Sequence, residues 1–126
     1  MKRIISALLM LCLLCAMLSA CADTSEPVTE VKYSIYQKNG RDYISFYLTA
    51  PEEAGVWTNS LGESGLLGMI ESREVVQEKA RYTTLILESR SEGEETVVFT
   101  LANGRSFEYL VKIQKDEEGI LRITVK

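Results

Sequence analysis

The stretch VKYSIYQKNGRDYISFYL, Val31 to Leu48, decides the fold. Apolar and polar residues alternate on both sides of Asn39-Gly40, a pair suited to a type I′ turn because both central positions there need positive φ. A two-residue loop at that pair sets Ile35 opposite Ile44, Tyr33 opposite Phe46 and Val31 opposite Leu48 on one face. The other face receives Tyr36 with Tyr43, Ser34 with Ser45 and Lys32 with Tyr47. One greasy face and one mixed face is the pattern of an antiparallel pair with a dry side and a wet side.

The C-terminal half reads the same way. Three short loops end in glycine: Ser91-Glu92-Gly93, Ala102-Asn103-Gly104 and Glu117-Glu118-Gly119. As three-residue hairpin loops with the glycine left-handed, they pair Leu85 with Phe99 and Leu87 with Val97, then Val97 with Tyr109 and Phe99 with Phe107, then Ile113 with Ile123 and Val111 with Val125. A two-residue turn at Asn103-Gly104 would set Phe99 against Glu108, so the longer loop is expected there. The loop at Gly93 also suits a corner that carries the chain to a second sheet, and both alternatives stand.

Between the halves, Pro51, Gly55, Gly62, Gly65 and Gly68 interrupt the pattern. Leu66 to Ile70 and Glu74 to Gln77 are short strand-like runs, and the adjacent Val75 and Val76 disfavour a helix over Ser72 to Ala80. About seven strands result, and a single open sheet would leave its apolar face wet. The expectation is an all-β, immunoglobulin-like antiparallel β-sandwich over residues 31–126.

Upstream lies a different kind of sequence. Lys2 and Arg3 precede an apolar run from Ile4 to Leu18 broken only by Ser6, shorter than the ~20 residues that span hydrocarbon. Leu18, Ser19, Ala20 and Cys21 follow, and this spacing resembles the lipobox of bacterial lipoproteins. The resemblance implies a lipoprotein signal peptide over 1–20, removed after the Cys21 sulfur has received a diacylglyceryl group. Fatty chains such as palmitate contribute ~0.8 kcal/mol per buried CH₂, so two or three of them anchor a protein firmly. Residues 21–30, polar and carrying Pro27, are expected to form a flexible tether between lipid and domain. Ala22 lacks the aspartate that commonly signals inner-membrane retention in that family. The expected location is thus the cell envelope, on the outer face of the cytoplasmic membrane or on an outer membrane.

Composition then excludes whole classes of chemistry. Without residues 1–20, 12 of the 14 Lys and Arg remain against all 18 Asp and Glu, a net charge of −6 that is a poor match for nucleic acid. The chain has no histidine, and of its three cysteines Cys12 and Cys15 fall in the signal peptide while Cys21 takes the lipid. Ser-His-Asp and Cys-His mechanisms are therefore out of reach, as are His- or Cys-ligated metal sites. The acidic loops at Glu52-Glu53, Glu92 to Glu95 and Asp116 to Glu118 lack the Asp-x-Asp-x-Asp-Gly spacing of a calcium loop. No cofactor and no metal are expected, and chemistry by two carboxylates survives as a formal possibility.

A second likeness lies within the domain. Ala54-Gly55-Val56-Trp57, after Leu48-Thr49-Ala50-Pro51, resembles the Thr-Gly-Tyr-x-Trp loop of chagasin-type cysteine-peptidase inhibitors. Tyr82 to Leu101 is similar to the strand, glycine loop and strand that follow in those proteins. Two departures stand beside it. Pro51-Glu52-Glu53-Ala54-Gly55 keeps only the last glycine of the family's Asn-Pro-Thr-Thr-Gly run, and the later hairpin Ala102-Asn103-Gly104-Arg105 lacks its Pro and Trp.

Candidate binding residues follow from both readings: Gly55 and Trp57 on the first loop, Asn103, Gly104 and Arg105 on the second. Trp57, the single tryptophan, is either an exposed anchor of the kind enriched at binding hot spots or a plug for a small core. Tyr36, Tyr43 and Tyr47 share the wet face of the first hairpin, and Ile86, Val98 and Leu110 are expected on the outer face of the C-terminal strands. The expected role is that of a non-catalytic, membrane-anchored envelope protein that binds a protein or envelope component through its loops. The alternative is a chagasin-like inhibitor of cysteine peptidases.

Overall fold

In the computed structural model, residues 28–61 and 64–126 are described; the expected signal peptide, Cys21 and most of the tether lie outside them. Eight strands follow one another: β1 (Glu30–Lys38), β2 (Arg41–Pro51), β3 (Trp57–Asn59), β4 (Leu67–Gln77), β5 (Ala80–Ser89), β6 (Gly93–Leu101), β7 (Ser106–Lys115) and β8 (Leu121–Val125). One 3-10 turn, Glu52–Ala54, separates β2 from β3. No helix among the described residues is long and apolar enough to cross a membrane.

The first hairpin forms in the register its sequence dictates. Val31 opposes Leu48, Tyr33 opposes Phe46 and Ile35 opposes Ile44, around a turn with φ of 54° at Asn39 and 77° at Gly40. The loops at Ala102 to Gly104 and Glu117 to Gly119 also set the expected pairs, Phe99 with Phe107 and Ile113 with Ile123 among them.

The loop at Gly93 does not close a hairpin. β5 pairs with β2 on one side and β4 on the other, so Leu85 opposes Phe46 and Ser72, and Leu87 opposes Ile44 and Met69. With both edges of β5 occupied, the pairings of Leu85 with Phe99 and Leu87 with Val97 cannot form. The chain instead crosses to a second sheet at Arg90 to Glu92. Gly93 serves that crossing by admitting Leu66, since a Cβ at Gly93 would lie 2.9 Å from a Leu66 methyl.

The strand-like runs at Leu66 to Ile70 and Glu74 to Gln77 are one strand, β4, interrupted by a bulge at Ile70 that shifts the register between Met69 and Glu71. β4 returns into β5 through Glu78-Lys79. Both residues have positive φ, 52° and 66°, in a turn that carries neither Asn nor Gly.

The sheet order is β3-β6-β7-β8-β2-β5-β4, with β1 on the remaining edge of β2. A single parallel bridge, Arg41 to Leu121, joins the two antiparallel halves β1-β2-β5-β4 and β3-β6-β7-β8. The ladder curls over there, and the two halves face each other across a shared core. In the immunoglobulin arrangement the first, second, fifth and fourth strands make one layer and the third, sixth and seventh the other. This chain has that order with an eighth strand beside the seventh.

The core takes Ile44, Phe46, Leu48 and Leu87 from one layer and Val97, Phe99, Val111 and Ile113 from the other. Phe46 and Phe99 meet across it with ring centroids 4.8 Å apart. Polar groups close the seam beside the bridge. The Asp42 carboxylate, 5% exposed, accepts the Ile123 N–H at 2.9 Å and pairs with the Arg122 guanidinium at 3.5 Å. The Ser89 hydroxyl lies 2.9 Å from the Asp42 carbonyl and 3.1 Å from that of Leu121, its one proton shared between strands of the two layers.

Truncating Phe46 to Ala should cost about 3–5 kcal/mol, the range for a buried phenylalanine. Tyr47→Ala, one residue along on the wet face, should cost less than about 1 kcal/mol; urea unfolding midpoints compare the two. Replacing Glu78-Lys79 by Asn-Gly should stabilise by about 1 kcal/mol, because a left-handed backbone suits those residues better. The same melts read that gain.

Candidate functional site

The candidate residues gather at one end of the sandwich. β2 ends at Pro51 opposite Ala80, and the Glu52 N–H donates to the Lys79 carbonyl at 2.8 Å, tying the 3-10 turn to the β4–β5 turn. Gly55 then lies flush on the β6–β7 loop. A Cβ there would sit 2.5 Å from the Ala102 Cβ, and the φ of 92° with ψ of −162° is a conformation reserved for glycine. One residue later β3 begins, with Trp57 opposite Leu101.

The second loop is fixed by its own hydrogen bonds. Leu101 N–H donates to the Arg105 carbonyl at 2.8 Å, Gly104 N–H to the Leu101 carbonyl at 2.9 Å, and Arg105 N–H to the Asn103 side-chain oxygen at 3.0 Å. The Arg105 guanidinium stands 5.3 Å from the centre of the Phe107 ring. Asn103, Gly104 and Arg105 are exposed and Gly55 is half-buried beneath them.

Trp57 is a core residue. It is 8% exposed, its ring lies 5.8 Å from that of Phe107, and its indole N–H is buried with no partner among the described residues. It therefore offers no surface of its own to a ligand. The apolar side chain that this end presents is its neighbour Val56, 52% exposed. Strand alternation at Trp57 carries the signal: with the indole turned in, the residue before it turns out.

A second surface covers the outer face of β1-β2-β5-β4. Tyr36 and Tyr43 stack with centroids 5.4 Å apart and planes within 11° of parallel. Tyr47, Tyr82 and Val75 are exposed as well, the last two opposite each other on β5 and β4. Sequence reasoning found the first three tyrosines and missed Tyr82 and Val75, because the pairing of β5 with β2 is not a local feature. Ile86 lies on β5, in the other layer from Val98 on β6 and Leu110 on β7, so those three do not form one patch. The Ser60 hydroxyl and N–H bond the Val98 N–H and carbonyl, so the chain beyond β3 runs beside Val98.

The acidic loops are held by their own backbone. The Asp116 carboxylate accepts the N–H groups of Ile120 and Glu118, both at 2.9 Å, and the Arg122 guanidinium at 3.0 Å. The Ile120 N–H foremost, with Arg122 and Glu118, holds this carboxyl below the usual range. The Glu92 carboxylate caps the Lys115 N–H at 2.8 Å. Among the described residues no group of three or more acidic, His or Cys side chains converges on a point that would hold a metal.

Comparison with protein-family models, with curated proteins and with solved structures gives no match to this chain. The likeness to chagasin-type inhibitors thus rests on the two stretches Leu48 to Trp57 and Tyr82 to Leu101.

Gly55→Ala should cost about 2 kcal/mol or more, through the strained backbone and the collision with Ala102. Gly104→Asn should cost under about 1 kcal/mol, since that site is open and asparagine tolerates positive φ. Thermal unfolding of the two variants separates these outcomes.

Proposed function

We propose that this chain is a lipid-anchored, non-catalytic protein of the cell envelope whose sandwich engages a protein or envelope component through the loops around Gly55 and Asn103 to Arg105. The observation that carries the reading is the run of charge, apolar length, small residues and cysteine from Lys2 to Cys21. Eight residues separate Cys21 from the start of β1, and at ~3.5 Å each they reach no more than ~30 Å. Glu30 pairs with Thr49, near the β2 end that leads into the Gly55 loop, so the chain enters the domain at the end that carries those loops. A partner taken by those loops is then one that works close to the bilayer.

Inhibition of a cysteine peptidase is the second reading. It is favoured by the contact of Gly55 with Ala102, which joins the two loops into one edge. The buried Trp57 weighs against it, since the wedge would have to act through Val56, Asn103 and Arg105.

Mass spectrometry of the membrane-extracted protein should find Cys21 as an acylated N-terminus. Cys21→Ser should move the protein out of the membrane fraction; an unmodified thiol, or unchanged membrane association of the variant, overturns the anchor. Titration against papain-like peptidases tests the second reading. Inhibition at micromolar protein that Arg105→Glu weakens would establish it, and its absence retires it.

A further inference from the structure

Every open sheet must protect its edges or use them. Among the described residues the sheet has four edges, and three of them are protected. β3 is three residues long. β4 is bulged at Ile70 and carries Glu71, Arg73 and Glu74. On β8 the Ile123 N–H is taken by the Asp42 carboxylate and the Leu121 carbonyl by Ser89. β1 differs, being nine residues long and paired without a bulge along its whole length to β2.

The turn at Asn39-Gly40 determines which backbone groups β1 leaves unpaired. A two-residue loop makes Lys38 and Arg41 a hydrogen-bonded pair, so Lys38, Tyr36, Ser34, Lys32 and Glu30 bond to β2. The N–H and C=O groups of Val31, Tyr33, Ile35 and Gln37 then point outward. The Tyr109 hydroxyl, which donates to the Val31 carbonyl at 3.4 Å, confirms that direction. A carbonyl oxygen accepts two bonds, so Val31 stays available. Beside this edge the inward-facing side chains of β1 overhang the core: Tyr33 is 43% exposed and Ile35 37%.

We propose that β1 pairs antiparallel with β1 of a second copy of this chain, about a dyad at Ser34. In that register the outward-pointing residues meet one another, Tyr33 with Ile35 and Val31 with Gln37 of the second copy. Each outward N–H finds a carbonyl, and Tyr33 and Ile35 cover their counterparts. The charges choose the register. Centring on Ser34 sets Glu30 opposite Lys38 at both ends and Lys32 opposite the Tyr36 ring. A shift of two residues toward the C-terminus sets Lys32 against Lys38, two like charges on one face. The opposite shift leaves Glu30 facing Tyr36 and Lys32 facing Ser34. Thus the lysines that would repel a foreign strand specify this one.

Disulfide trapping in the full chain, in the intact cells that produce it, tests the register. Ser34 meets its counterpart at a non-hydrogen-bonded position, where Cα atoms lie ~4.5 Å apart and a disulfide fits. Under mild oxidation Ser34→Cys should give a covalent homodimer, several-fold above the background of the unsubstituted chain and its own cysteines. Lys32→Cys and Tyr36→Cys should each trap poorly alone and well when the two variants are co-expressed. Glu30→Lys and Lys38→Glu should each lower the trapped fraction of Ser34→Cys several-fold, and the two together should restore it. No dimer above background, equal trapping at 32, 34 and 36, or a disulfide to a different protein overturns the proposal. Failure of Cys21 acylation leaves it standing, because the pairing does not require the anchor.

Discussion

Two four-stranded layers are held together by one shared apolar core, in which Phe46 of one layer meets Phe99 of the other. In the immunoglobulin arrangement the second and sixth strands are often joined by a disulfide that packs against a tryptophan on the third. Here those strands are β2 and β6, and they bring two phenylalanine rings to 4.8 Å with Trp57 of β3 in the same core. No cysteine lies beyond Cys21, so the crosslink is replaced by packing. Packing of this kind, unlike a disulfide, does not reduce the chain entropy of the unfolded state. The layers therefore depend on tight fit, and Tyr109 supplies it by lying within 6.2 Å of both Phe46 and Phe99, edge-on to the latter.

An apolar interface resists separation but tolerates sliding, so something must set the relative position of the layers. The seam does this. Asp42 on β2 reaches across to the Ile123 N–H, and Ser89 on β5 bonds the carbonyls of Asp42 and Leu121 together. These groups are buried or nearly so, and each would cost ~1–3 kcal/mol if left without a partner. Any slip of one layer past the other breaks several at once. The same contacts blunt the edge of β8, so one cluster fixes the register and prevents unwanted pairing.

Legibility followed sequence distance. The first hairpin could be registered residue by residue, because Asn39-Gly40 demands one turn type and alternation admits one phase. At Asn103-Gly104 alternation selected the three-residue loop over the two-residue turn that the Asn-Gly pair alone would suit, and at Gly119 alternation likewise fixed the phase. The crossing at Arg90 to Glu92 was not, since a glycine loop closes a hairpin or turns a corner equally well and only the prior pairing of β5 with β2 and β4 decides. Glu78-Lys79 hid a tight turn because its positive φ angles are imposed by the strands it joins and not chosen by its residues. At the candidate site, the resemblance to chagasin-type inhibitors brought Gly55 and Asn103 to Arg105 into view. The burial of Trp57 depended on strand phase within a three-residue strand, too short for alternation to show.

Rigidity at the loop end is the feature that bears most on binding. Each loop there is fastened by backbone groups: Glu52 to Lys79, Gly55 to Glu52, Leu101 to Arg105, and Asn103 to the N–H of Arg105. Gly55 against Ala102 then locks the two loops to each other at a position where no side chain would fit. A surface fixed in this way loses little conformational freedom when a partner arrives, so modest contact area yields useful affinity. Val56, Asn103 and Arg105 present an apolar group, an amide and a cation in fixed relation, flanked by the exposed carboxylates of Glu52 and Glu53. An edge fastened in this way holds its shape without a moving part.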